Sequence, residues 1–207
     1  MITLVGGCPA KKKNFLARAN FLEAKIPSSV YLYTSPATNL TKEKLEFFKS
    51  HTGSLGLTDL KQIEDLAKKS FLTLIGSDLG NNFDAKKALL ALVNMTYPLL
   101  LEEDALVPEL LKIYNPAKHN WLLLLENQDF DRLFSGENYN RSPQEIAKKY
   151  QMTFYYQGKY FSDKKGFFTP LEEITLDNPL LSAKIAHQLI LKAGGETKLD
   201  LKLCQVS

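Results

Sequence analysis

Between Phe71 and Leu106 short apolar runs alternate with helical spacing, an order that suits strands at the buried centre of a parallel sheet. Phe71–Ile75 is a strand-like run, and Gly76-Ser-Asp-Leu-Gly80 breaks it. Asp84–Val93 places apolar residues at helical intervals, and Tyr97–Leu101 is a second run that ends in Glu102, Glu103 and Asp104. Such strands, apolar on both faces, need helices on both sides. The loops that leave their carboxyl ends are where α/β proteins bind ligands.

The same grammar extends in both directions. Ile2–Val5, the Gly6-Gly7 turn, a helix over Asn14–Ala24 and the strand Val30–Tyr33 make one βαβ unit, hence parallel strands. The apolar side of that helix is set by Phe15, Leu16, Ala19 and Leu22. Spacing predicts a short helix over Leu40–Ser50 with Thr41 as its cap, and another over Thr58–Lys69. A helix is expected over Asp104–Tyr114, stopped at Asn115-Pro116. Trp121–Leu125 is a central strand, Gln128–Phe134 a helix, and Ser142-Pro143-Gln-Glu145 a capped helix start. Met152–Tyr156 and Lys159–Ser162 read as strands around Gly158. Lys164-Lys165-Gly166 reads as a further hairpin turn with Phe167-Phe168 as its return. Leu180–Lys192 reads as the last helix and Leu199–Val206 as an edge strand. The expectation is a single α/β domain over residues 1–207 with a mostly parallel central sheet.

Composition excludes several classes. A formal charge of +3, with basic residues scattered, gives no nucleic-acid footprint. Cys8 and Cys204 do not make a disulfide framework, which points to a reduced, cytoplasmic protein. No apolar run reaches the roughly 18 to 20 residues of a membrane span, and a strand that begins at Ile2 leaves no room for a targeting segment.

The chemistry-bearing candidates sit in the loops. Gly6-Gly7 holds the position of a phosphate loop, but CPAKKKN lacks the dinucleotide fingerprint. Lys11, Lys12 and Lys13 at a helix start invite an anion, against the simpler reading of a solvated basic turn. Glu102, Glu103 and Asp104 could hold Mg²⁺ or orient a hydroxyl, and could equally cap the next helix. His51, His119 and His187 lack metal-ligand spacing, and no G-x-S-x-G is present. Tyr155, Tyr156 and Tyr160, interleaved with Phe154 and Phe161, suit a sheet surface or an oligomer interface.

At Gly76–Gly80 and Glu102–Leu106 the chain resembles the ATP/ADP-dependent NAD(P)H-hydrate dehydratase family, which repairs hydrated nicotinamide cofactors. LIGSDLG is similar to the family's I-G-P-G-L-G loop, keeping Gly76, Leu79 and Gly80. LLLEEDAL is similar to V-L-D-A-D-A-L, with Glu102 for the first aspartate and Asp104 keeping the second. LLLLENQDFDRLFSG resembles L-T-P-H-x-x-E-F-x-R-L-x-G, keeping Phe130, Arg132, Leu133 and Gly136, with Asp129 for the glutamate. The shared order runs from Leu4 to about Ala183. The resemblance implies a three-layer α/β/α ribokinase-like fold, an active site at the carboxyl ends of the strands, and ATP or ADP with Mg²⁺. It implies Glu102, Asp104, Glu126 and Asp129 on the substrate side and Gly76, Gly80, Gln157 and Gly158 toward the nucleotide, to which the basic turn adds Lys11 as a phosphate candidate.

The departures fall where that family does its chemistry. Leu124, Leu125 and Glu126 replace its Thr-Pro-His, and Gln157-Gly158 replaces its Lys-Gly pair. The G-x-G-D turn expected after Asn178-Pro179 is missing, since Leu180-Leu-Ser-Ala183 runs straight into a helix. In the family that turn supplies an anion hole and an aspartate base. Losing one such donor costs roughly 10² to 10³ in rate. The sequence therefore predicts a catalytically impaired nucleotide-binding or structural subunit, as a homo-oligomer or beside an active relative. The alternative is a working dehydratase or small-molecule kinase with Glu102, Asp104, Glu126 and Asp129 rearranged around Mg²⁺-nucleotide.

Overall fold

Strand β1 (Ile2–Val5) divides the sheet: it pairs in parallel with β2 (Val30–Thr34) on one side and with β4 (Leu72–Ile75) on the other. In the computed structural model the described residues are 1–7, 12–27, 29–36, 44–49, 53–76, 79–80, 82–136, 141–163 and 180–193. Beyond β2 lies β3 (Leu45–Phe47); beyond β4 lie β5 (Pro98–Leu101), β6 (Asn120–Leu125), β7 (Thr153–Tyr156) and β8 (Lys159–Phe161). All neighbours run parallel except β7 and β8, which form an antiparallel hairpin. The chain moves one way from β1 and then returns to its other side, so a topological switch point falls between β1 and β4.

Each central strand feeds two cores. Val5, Ile75, Leu101, Leu123 and Phe154 face one layer, made with α2 (Leu60–Lys69), α3 (Phe83–Val93), α4 (Leu110–Ile113), α5 (Asn127–Phe134) and α6 (Pro143–Tyr150). Leu4, Leu74, Leu100, Leu122 and Tyr155 face the other, made with α1 (Lys12–Lys25) and α7 (Leu181–Ala193). This is the expected three-layer α/β/α architecture with a mostly parallel sheet. Continuous Leu and Ile runs are required because both faces of every inner strand are buried.

Two expected elements are different. Leu45–Phe47 forms an edge strand, not part of a helix over 40–50, because its backbone pairs in register with β2, Leu32 opposite Leu45. Thr41, the expected cap, lies outside the described residues. The helix expected over Asp104–Tyr114 is instead a 3-10 turn at Glu103–Ala105 followed, after a break, by α4. Pro108 explains the break: it lacks an N–H and pushes Val107 out of the helical region. The second hairpin at 164–168 and the strand at 199–206 lie outside the described residues. No helix among the described residues is long and apolar enough to cross a membrane.

Candidate functional site

The carboxyl ends of β1, β4 and β5 converge at the switch point, and an arginine fills the space between them. Arg18 lies on α1 one turn beyond Phe15 and is only 5% exposed. Its Nη1 is 3.0 Å from Glu102 Oε1, and its Nη2 donates to Glu103 Oε1 at 2.6 Å. The hydroxyl of Ser182, in the first turn of α7, donates to the same Glu102 oxygen at 3.1 Å. Helices from the start and end of the chain are thus tied to one carboxylate after β5.

Burial pushes the Glu102 carboxyl up to about 7, against the pull of Arg18 and with repulsion from Glu103 and Glu126 added. Asp129 is likewise raised, by burial first, although the Glu126 amide and Arg132 oppose the shift. Glu103 and Asp104 repel it further. Glu102, Glu103, Asp104, Glu126 and Asp129 therefore share one electrostatic neighbourhood, but each of several has local work. Asp129 accepts from the Glu126 amide at 3.3 Å, at the start of α5, and pairs with Arg132 at 2.7 Å. Among the described residues no three His, Cys, Asp or Glu side chains converge as metal ligands.

Beside this closed centre lies an open cleft of about 210 Å³ between the start of α3 and the 103–105 turn. Gly80, Asn82, Lys86, Asp104 and Arg132 supply its polar wall, and Phe83 stands at its rim, 79% exposed. Asn82 caps α3 by accepting from the Ala85 amide at 2.8 Å, and Lys86 pairs with Glu109 at 2.8 Å. Lys86 and Arg132 could meet phosphate oxygens, with Asp104 toward Mg²⁺ or a hydroxyl. The volume is below the roughly 300 to 1,000 Å³ of sites that enclose drug-sized ligands.

The expected residues divide between these places. Gly80 and Asp104 line the cleft, and Gly76 and Glu102 line the closed centre. Glu126 and Asp129 open α5. Gln157 and Gly158 form the β7–β8 turn, both with positive φ, and the Gln157 amide donates to Asn127 Oδ1 and Tyr156 Oη. Lys11 lies outside the described residues. Gly7 is a packing glycine, since a Cβ there would lie 2.4 Å from Thr34 Oγ1. His119 stacks on Trp121 at 4.4 Å and accepts from the Asn115 amide, a structural role. Tyr155 and Tyr160 are buried, and Tyr156 stacks on Phe130 at 4.3 Å, so most of this aromatic strand pair faces the interior.

Sequence reasoning passed over Arg18. A signal existed: residues 15, 18, 19 and 22 follow the i, i+3, i+4, i+7 spacing of one helix face, and an arginine there demands a buried acid.

No family profile and no curated protein matches this sequence. Solved structures do match in shape. A ribokinase-like superfamily protein from Enterococcus faecalis V583 superposes with a TM-score of 0.66 at 12% identity, covering 90% of this chain and 69% of its own. A hypothetical protein from Streptococcus mutans gives 0.60 at 11% identity over 97% of this chain and 85% of its own. YxkO of Bacillus subtilis, a member of the UPF0031 family, gives 0.52 at 14% identity over 97% and 87%. At such identities the likeness is one of architecture, and it agrees with the resemblance read from the loop motifs: this chain has a ribokinase-like fold.

Proposed function

We propose that this protein is a degenerate relative of the NAD(P)H-hydrate dehydratases and related kinases, without turnover, that acts as a nucleotide-binding or structural subunit. The observation that carries the reading is the Arg18–Glu102 pair at 3.0 Å in the switch-point crevice, where doubly wound folds place their ligands. Glu102 stands where the resemblance implies a substrate-side aspartate, and its carboxylate is engaged by Arg18 and Ser182. Ser182 itself belongs to the helix that replaces the missing glycine turn. Nucleotide, as ATP or ADP with Mg²⁺, would use the neighbouring cleft, with Lys86 and Arg132 toward the phosphates and Asp104 toward the metal. The partner would be a second copy or an active relative.

A second reading keeps one observation in its favour. Raised carboxyls at Glu102 and Asp129 within one carboxylate cluster suit acid–base chemistry. That reading is an active dehydratase or small-molecule kinase with a rearranged acidic site.

Calorimetric titration with ATP and with ADP, each with Mg²⁺, tests both when paired with an assay on hydrated NADH and small phosphoryl acceptors. Micromolar binding, about −8 kcal/mol, without turnover supports the nucleotide-binding subunit. No heat at millimolar nucleotide leaves the structural subunit. Turnover in any of the assays overturns the first reading in favour of the second.

A further inference from the structure

The switch-point pocket is ringed by Leu4, Val5, Phe15, Leu74, Gly76 and Glu102, and the space left open beside Arg18 is about 10 Å³. That is room for one water at most. The guanidinium is received as a ligand would be, by two carboxylates from one turn, with the apolar strands beneath it. Glu103, the residue that grips it most closely, is held at φ +47, in the left-handed region that a side chain disfavours. The carbonyl of the same residue lies 3.5 Å from Nη2 of Arg132, a wall residue of the open cleft. Asp104, the next residue, lines that cleft. One strained turn therefore joins the closed pocket to the open one.

We propose that Arg18 is an internal plug, seated from within the chain in a pocket built for a guanidinium or alkylammonium group, with Glu103 as the catch that its withdrawal releases. The plug pairs with one oxygen each of Glu102 and Glu103 and fills the crevice that would otherwise admit a small organic cation. When it leaves, the Glu103 carboxylate loses its partner, and the 103–105 turn shifts as a unit. Asp104 then shifts at the wall of the cleft. The proposal rests on the closed-site reading above but not on nucleotide binding.

The test is to restore the missing atoms from solution. Arg18→Ala is titrated with ethylguanidinium at low millimolar concentration, following thermal unfolding and backbone amide resonances. The expected result is a lowered Tm that ethylguanidinium raises by several degrees, with shifts at Glu102, Glu103 and Asp104. Wild type shows neither effect at the same concentrations, and Arg18→Ala with Glu102→Gln and Glu103→Gln loses the response. A folded Arg18→Ala that gains no more than wild type overturns the plug. Arg18→Lys keeps the charge but cannot bridge both carboxylates, and it serves if the alanine variant does not fold. Amide shifts at Asp104 and Arg132 are then expected, and a spectrum unchanged beyond the neighbours of residue 18 overturns the catch. A blank nucleotide titration would leave these results standing, and a failed rescue would leave the titration standing.

Discussion

A Cβ placed on Gly76 would lie 2.4 Å from both the Cγ and the carbonyl oxygen of Glu102. β4 therefore ends against the backbone that follows β5 with no room for a methyl group, and the backbone at residue 76 has φ +153. Gly76→Ala must push these strand ends apart at the switch point, where Arg18 and Ser182 also converge. The expected loss is on the order of 2 to 4 kcal/mol, read from the urea midpoint. A variant within about 0.5 kcal/mol of wild type would show that the turn can give.

The Glu102 carboxyl makes stability depend on pH with an unusual sign. Its ordinary value is 4.5 and the fold raises it to about 7. Between those values the folded chain keeps a proton that the unfolded chain has released, so stability falls as pH rises through that window. Above pH 7 both states are ionised and the deficit is constant, on the order of 3 kcal/mol. Urea unfolding from pH 4.5 to 8 should show this slope, and Glu102→Gln should remove it. An equal slope in the variant would assign the effect to another group.

The layered fold was legible because long apolar runs and glycine breaks report burial on both sheet faces, a local property. What was not legible depended on distant partners. Lys44 to Phe48 has helical composition, and only the register with Leu32 makes 45–47 a strand. Pro108 was visible and should have broken the expected helix. The acidic cluster was recognised by its loop positions, but its partner Arg18 is 84 residues from Glu102 and was hidden within an apolar helix stripe. The pairing that closes the site is a tertiary fact, as is the contact from Ser182.

Asp59, fully buried at the end of the 57–59 turn, should be the most costly acidic residue to remove outside the central cluster. Its carboxylate accepts from the amides of Lys49 and Gly56 at 2.9 and 2.8 Å and from Tyr33 Oη at 3.0 Å. Burial, reinforced by this acid, raises the Tyr33 hydroxyl well above its ordinary range. Asp59→Ala strands the two amides, leaves the Tyr33 hydroxyl only Gln62 Oε1 at 3.3 Å, and should lose about 3 to 5 kcal/mol, whereas Tyr33→Phe, which removes one donor, should lose about 1 to 2 kcal/mol. Near-equal losses in the two variants would contradict this assignment.

Glu103 allows backbone strain to be separated from the ion pair. Glu103→Ala and Glu103→Gly both delete the carboxylate that meets Arg18 at 2.6 Å, so both lose the same contact. They differ in what they ask of a backbone at φ +47. Alanine keeps the Cβ that crowds the following carbonyl in this region, and glycine does not. Against this, glycine has more freedom to lose on folding. In a helix or strand that entropy makes glycine the worse residue by about 0.5 to 1 kcal/mol. At residue 103 the order should invert, with the glycine variant more stable than the alanine variant by about 1 kcal/mol. Paired urea titrations at one pH read the difference directly. If alanine is the more stable, the left-handed conformation at residue 103 carries no strain.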